Sequence, residues 1–418
     1  MRLLLRNALI FDPQSSFHGK KINLLLENGF ISKIGKAATA QKEIDLSGAW
    51  VCPGLLDMNA NYCEPGFEFK EDIDSGTRVA ISGGFSKVVL SPSTNPIVET
   101  KSDVEFIKSK SKGIVEFLPL AALSEGMKGE DMTEILDLNE AGAVAFSDGN
   151  RSIWNNELLL KALQYVQKFD GLIVSRPKDP HLSRNTHMHE GKASTMLGLK
   201  GEPSISEKIQ ISQQLEILRY AGGRIHFSMI STEDGLKEIK AAKKEGLRVT
   251  CDVAVNHLVF TDQHVSGFDT RFKMDPPFRT EKDRKALIKG VNEGVIDVIV
   301  SGHEPQDRES KYLEFDLAEA GAISQQTTFS ALMSINEQID MEVAIERLTH
   351  GPRKILGIES ARIEEGQKAD LASFDLKRKW IMNAQTNKSK SENTPFWGRE
   401  MIGKCVGVVN NYKVEIDM

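Results

Sequence analysis

Residues 53–84 read PGLLDMNANYCEPGFEFKEDIDSGTRVAISGG. An apolar run of strand length, LLDM at 55–58, ends in Asn59-Ala60-Asn61 and passes into the loop Tyr62-Cys63-Glu64-Pro65-Gly66. A doubly wound sheet calls for a G-x-G-x-x-G helix start after its first strand, and an extended Pro/Gly loop stands there instead. Further on, β-branched and apolar runs recur as FSKVVLS (85–91), EFLPLAAL (116–123), AVAFSD (143–148), LIVSRP (172–177), RIHFSMIS (224–231), LRVTCDV (247–253) and IDVIVSGH (296–303). Amphipathic segments such as DGLKEIKAAKKEG and EKDRKALIKGVNEG separate most of them, each closing on a glycine suited to a helix C-terminus. Eight strands alternating with helices over about 300 residues is the count and length of an α/β (β/α)8 barrel.

The two ends have another texture. Residues 1–52 alternate short β-like runs with turn signals, among them Asn28-Gly29, a strong hairpin turn. The C-terminal runs ADLASFDL, KWIMN and CVGVVNNYKVEIDM repeat that pattern, with Asn410-Asn411 suggesting another turn. Neither end buries a sheet face alone, so 1–52 plus 362–418 are expected to form one composite β-sandwich beside a barrel of residues 53–361. The polar tract NAQTNKSKSENTP (383–395) reads on composition as a surface excursion.

The chain has 418 residues, 40% hydrophobic and 27% charged, with a net charge of −6. That balance argues against nucleic-acid or anionic-membrane partners, which need concentrated positive surface. No run approaches 18 uncharged apolar residues and the N-terminus has no cleavage signal, so a cytoplasmic protein is expected. Cys52, Cys63, Cys251 and Cys405 are far apart and form no C-x-x-C pair, which points to reduced thiols.

A barrel of this kind places chemistry at the C-terminal ends of its strands. The residues there are Asn59, Asn61, Asp148, Arg176, Met229, His257, Gly302 and His303. Zinc wants three or more converging imidazoles, thiolates or carboxylates. One carboxylate and two scattered histidines do not supply them.

Several segments resemble motifs of the dihydroorotase family, within the amidohydrolase superfamily. They are VCPG (51–54), NANYCEPG (59–66), GFEFKEDIDSGTRVAISGGF (66–85), SPSTNP (91–96), AGAVAFSDG (141–149), GGRIHFSMIST (222–232), FKMDPPFR (272–279), IDVIVSGHEPQ (296–306) and SKSENTPFWGRE (389–400). The resemblance covers nearly the whole chain and implies a site taken apart. Asn59 and Asn61 stand where the family has its first two histidine ligands, and Asp148 where some members carry a metal-bridging aspartate. Arg176-Pro177-Lys178-Asp179 replaces His-Cys-Glu-Asp. Met229 replaces the sixth strand's second histidine, although His226 is retained. Gly302-His303-Glu304-Pro305-Gln306 replaces Asp-His-Ala-Pro-His, so the expected general base is a glycine. On the substrate side, Cys63 stands for the carboxylate-binding arginine, Ser93 for an asparagine, and Asp275 for another, where its charge is expected to repel an anionic substrate.

The preferred reading is a dihydroorotase-like protein of pyrimidine biosynthesis that is non-catalytic, binds no metal and has a structural or regulatory role. Family analogy supplies aspartate transcarbamoylase as a partner, and a homo-oligomer is expected. Arg176 is expected to pair with Asp148 in place of a metal bridge. Two rivals stay open: an active cyclic amide hydrolase, with zinc and with Asp148 and His303 as weak catalytic candidates, and a small-anion binder using Arg176 and Lys178. Thr186-His187-Met188-His189-Glu190 has ligand-type residues at alternate spacing, but the long fifth loop suggests a solvent-facing segment. Cys63 has no local histidine to activate it as a nucleophile.

Overall fold

The computed structural model describes residues 2–35, 40–111 and 113–416. All eight expected barrel strands form: β1 (Leu55–Ala60), β2 (Phe85–Leu90), β3 (Glu116–Ala121), β4 (Ala145–Phe146), β5 (Ile173–Ser175), β6 (Ile225–Phe227), β7 (Val249–Ala254) and β8 (Val298–Val300). They pair in chain order, each parallel to the next. β8 returns to β1 through a parallel bridge from His303 to Ala60, where the Asn61 N–H donates to the His303 carbonyl at 2.9 Å. The fold is thus the α/β barrel that the strand spacing predicts.

Period-two alternation sorts the side chains into two cores. Leu56, Met58, Val89, Val174 and Val300 fill the barrel interior, whereas Leu55, Phe85, Phe117, Ile173 and Phe227 pack outward toward the helices. Local chemistry sets the helix ends. Helix Ile73–Gly83 starts at Asp72, whose carboxylate accepts from the Ser75 N–H at 2.6 Å, and stops at Gly84, with φ of 86°. The two segments read as helices become Glu233–Lys244 and Glu281–Asn292.

Strands from the two chain ends join in one sheet. Its order is Lys413–Ile416, Glu400–Asn410, Leu371–Ile381, Trp50–Pro53, Arg2–Ile10, Lys21–Glu27 and Phe30–Gly35, with Lys42–Asp45 also along Arg2–Ile10. The seam is antiparallel, Leu371 opposite Pro53 and Phe374 opposite Trp50. Asn28 and Gly29 make the expected hairpin turn with φ of 49° and 75°. The second turn lies one residue later than expected, at Asn411 and Tyr412. Leu3, Leu5, Leu24, Leu371 and Val406 share the core of this β unit.

The polar tract at 383–395 meets the surface expectation over 383–390, where Ala384, Gln385, Lys388 and Lys390 are exposed, and departs from it beyond. Ser391, Asn393 and Thr394 are buried, because the segment crosses the barrel mouth as a strap. Ser389 and the Lys390 N–H donate to Glu71, Ser391 donates to the Lys70 carbonyl, and Asn393 Nδ2 donates to the carbonyls of Glu304 and Gly321. Composition cannot separate such a strap from a solvated loop, since both are polar; what differs is whether its partners are water or backbone.

Candidate functional site

The two asparagines ending β1 are committed to cross-links. Asn59 Nδ2 donates to Ser228 Oγ beyond β6 at 2.9 Å. Asn61 Nδ2 donates to Glu304 Oε1 at 3.1 Å, and its Oδ1 accepts from the Cys63 N–H at 2.9 Å. The other Glu304 oxygen accepts from Asn150 Nδ2 at 3.2 Å, so one carboxylate ties together the loops after β1, β4 and β8. Burial pushes the Glu304 carboxyl above its usual range, against the pull of these amides.

Asp148 is equally occupied. It accepts from the N–H groups of Leu123 and Ser124 at 3.1 and 2.9 Å and from the Ser124 hydroxyl at 2.6 Å. Burial again raises its pKa. The expected pairing of Asp148 with Arg176 does not form. Arg176 donates to the main-chain carbonyl of Asp275, in the loop after β7. Nor does Asp275 stand as an unbalanced repelling charge: Lys178 pairs with it at 2.8 Å, and despite desolvation Lys178 and Arg176 hold its carboxyl below the usual range. Lys178 also approaches Glu202 at 3.8 Å.

Met229 and Gly302 fit each other. A Cβ at Gly302 would lie 3.0 Å from Met229 Cε and 3.1 Å from Ala254 Cβ. Both residues have positive φ, 62° and 61°. The thioether fills the space beside a residue that has no side chain. Cys63 is buried, and desolvation pushes its thiol far above the usual value, which leaves a poor nucleophile. Ser93 Oγ contacts Ser91 Oγ at 3.1 Å. All four cysteines are buried and free.

The histidines are dispersed. His226 bonds to Thr250 Oγ1 and Asp252 Oδ2, both at 2.8 Å, inside the barrel wall. His257 has Nε2 3.0 Å from the Pro276 carbonyl, and burial lowers its pKa to about 4, so it is a neutral donor there. His303 is fully buried: Nδ1 accepts from the Ser324 N–H at 3.2 Å, and Nε2 lies 3.6 Å from Glu71. His189, expected to face solvent, is instead buried with Nδ1 3.4 Å from Arg279 Nη1. The short pairing of Met188–His189 with Gly201–Glu202 pulls it in. Half-buried His187 lies 3.5 Å from the Lys273 ammonium.

Among the described residues no three His, Cys, Asp or Glu side chains come together as a metal-holding group. The donor set at the mouth is amides, hydroxyls, a thioether, a guanidinium and the two carboxylates of Asp148 and Glu304. These carboxylates are already held by other donors and do not converge, and the set does not fit zinc. The cavity bounded by Asn59, Ser91, Gly149, Asn150, Arg176 and Ser228 has a volume of about 20 Å3. That is room for about one water. Ser228 and Asn150 were not singled out from the sequence; Asn150 lies one residue past AGAVAFSDG, and only its bond to Glu304 marks it.

The dihydro-orotase-like family model matches residues 48–235. A dihydroorotase of Pelobacter propionicus is 36% identical over 416 residues, covering 98% of this chain and 98% of that protein. The chain belongs to the dihydroorotase family. A dihydroorotase of Aquifex aeolicus is 34% identical over 421 residues, with 99% of each chain covered. Among solved structures, the L-hydantoinase of Arthrobacter aurescens superposes with a TM-score of 0.86 at 20% identity, covering 99% of this chain and 96% of that one. A D-hydantoinase gives 0.84 at 18% identity, over 100% and 95%. These two establish the shared fold. Membership and an unsuitable donor set therefore coexist in one chain.

Proposed function

We propose that this dihydroorotase-family protein is non-catalytic and serves pyrimidine biosynthesis in a structural or regulatory role in the cytoplasm. The observation that carries the reading is the donor set: Asn59, Asn61, Arg176, Met229 and Gly302 stand at strand ends where metal-dependent hydrolysis needs imidazole or carboxylate. The remaining carboxylates, Asp148 and Glu304, are taken up by neutral donors of the fold. Retention of the whole barrel and β unit supports selection for shape, with aspartate transcarbamoylase as the proposed partner and self-association as the proposed state.

The direct test is metal content of zinc-supplemented protein together with dihydroorotate turnover in both directions. Metal well below one equivalent and turnover at the buffer rate are expected; stoichiometric metal with turnover overturns the reading. The active alternative is favoured by one finding, that relatives 34–36% identical over nearly the whole length are named dihydroorotase.

A further inference from the structure

The barrel end opposite the mouth is hollow. A cavity of about 630 Å3 opens there, inside the ~300–1,000 Å3 range of small-molecule sites. Residues immediately before β5 to β8 form one side and the segment 346–362 the other. Leu172, Val249, Ile355 and Ile358 give it an apolar floor. Six lining side chains are Arg or Lys and two are acidic, in a chain whose net charge is −6. This face of a (β/α)8 barrel ordinarily serves stability. A purely stabilising site would pair its cations.

Only part of this charge is paired. Arg353 meets Asp370 at 2.7 Å, while Arg224 and Arg248 share one carboxylate, Asp170, at 2.9 and 2.7 Å. Arg347, Lys354 and Arg362 form no ion pair among the described residues; Arg362 donates only to Gln14 Oε1, and the buried Nε of Arg347 has no partner. Glu346 also lines the cavity. Cations held around one concavity repel each other unless an anion lies between them, and guanidinium forks match phosphate oxygens in pairs.

We propose that this cavity binds a phosphorylated small molecule carrying a planar or aliphatic ring. Its phosphates meet Arg347, Lys354 and Arg362, and its ring lies on the Leu172, Val249, Ile355 and Ile358 floor. The site is separate from the barrel mouth and does not depend on whether the mouth is catalytic.

Isothermal titration of the full chain at fixed ionic strength tests this, with ATP, pyrophosphate and adenosine as probes. Saturable binding of ATP is expected, with adenosine weaker by at least about tenfold. Arg347→Ala/Lys354→Ala should weaken ATP by at least about tenfold, while Lys285→Ala/Lys289→Ala, on another helix, should leave it unchanged. Lys354→Glu/Arg362→Glu, at exposed positions, provides a charge-reversal readout should loss of Arg347 lower the melting temperature. The proposal is overturned if neither ATP nor pyrophosphate saturates the protein at millimolar concentration. It is equally overturned if the distant lysine pair weakens binding as much as the cavity substitutions do.

Discussion

Gly302 and Met229, just beyond the ends of β8 and β6, form one structural unit. A side chain at 302 would have to adopt φ near +61° and press within 3.0 Å of the Met229 methyl. The left-handed backbone costs about 1–2 kcal/mol for a non-glycine residue, and crowding a packed interior adds about 1 kcal/mol or more. Gly302→Ala should therefore destabilise by about 2–3 kcal/mol. In a Met229→Ala background the contact with the thioether is removed while the contact with Ala254 Cβ and the backbone cost remain, so the penalty should fall by about 1 kcal/mol. Denaturant titration of the four proteins measures this coupling, and strictly additive penalties would contradict it. The identity of these two residues was legible because strand ends fix where ligands must stand. Their mutual fit was not, since residues 73 positions apart in the chain (229 and 302) meet only through barrel closure. The Asp148–Arg176 pairing misled for a related reason: opposite charges on neighbouring strand ends look complementary until backbone donors at Leu123 and Ser124 occupy the carboxylate.

Elements divide by the kind of signal they carry. Each of the eight barrel strands was legible because an apolar run of strand length must be buried on both faces. The strap at residues 387–394 was illegible because it is held by side-chain bonds to distant backbone. Asn393 contributes most of them, with Nδ2 on the Glu304 and Gly321 carbonyls and Oδ1 accepting from the Gln306 N–H at 3.2 Å. Asn393→Ala strands these groups in a buried setting at a cost of about 1–3 kcal/mol each when no water replaces the partner. With partial rescue by water, a net loss of about 2–4 kcal/mol is expected. Hydrogen exchange should locate it: faster exchange in the segments around residues 304–306 and 389–394, with β2 and β3 unchanged, distinguishes a loosened strap from general destabilisation. Uniform acceleration across the barrel would mean that the strap is not a separable element.

At the scale of the whole molecule, the barrel and the β unit are joined through buried charge. Arg353, 1% exposed, sits on the helix His350–Leu356 and donates to Asp370 Oδ2 at 2.7 Å and to the Gly54 carbonyl at 2.8 Å. Asp370 immediately precedes the strand Leu371–Ile381 that pairs with Trp50–Pro53, so the ion pair lies where chain ends and barrel converge. Taking two charges out of water costs several kcal/mol, which their attraction roughly offsets; removing one partner leaves the other uncompensated, at about 3–5 kcal/mol. Arg353→Leu and Asp370→Asn should each unfold at markedly lower denaturant. The double substitution should recover much of that loss, because no isolated charge remains. Arg353 also holds Gly54 at the entrance to β1, so recovery should stop short of the parent protein by about 1–2 kcal/mol, the cost of an unsatisfied buried carbonyl. A double variant no more stable than the worse single one would show that the junction depends on the pair itself and not on charge balance.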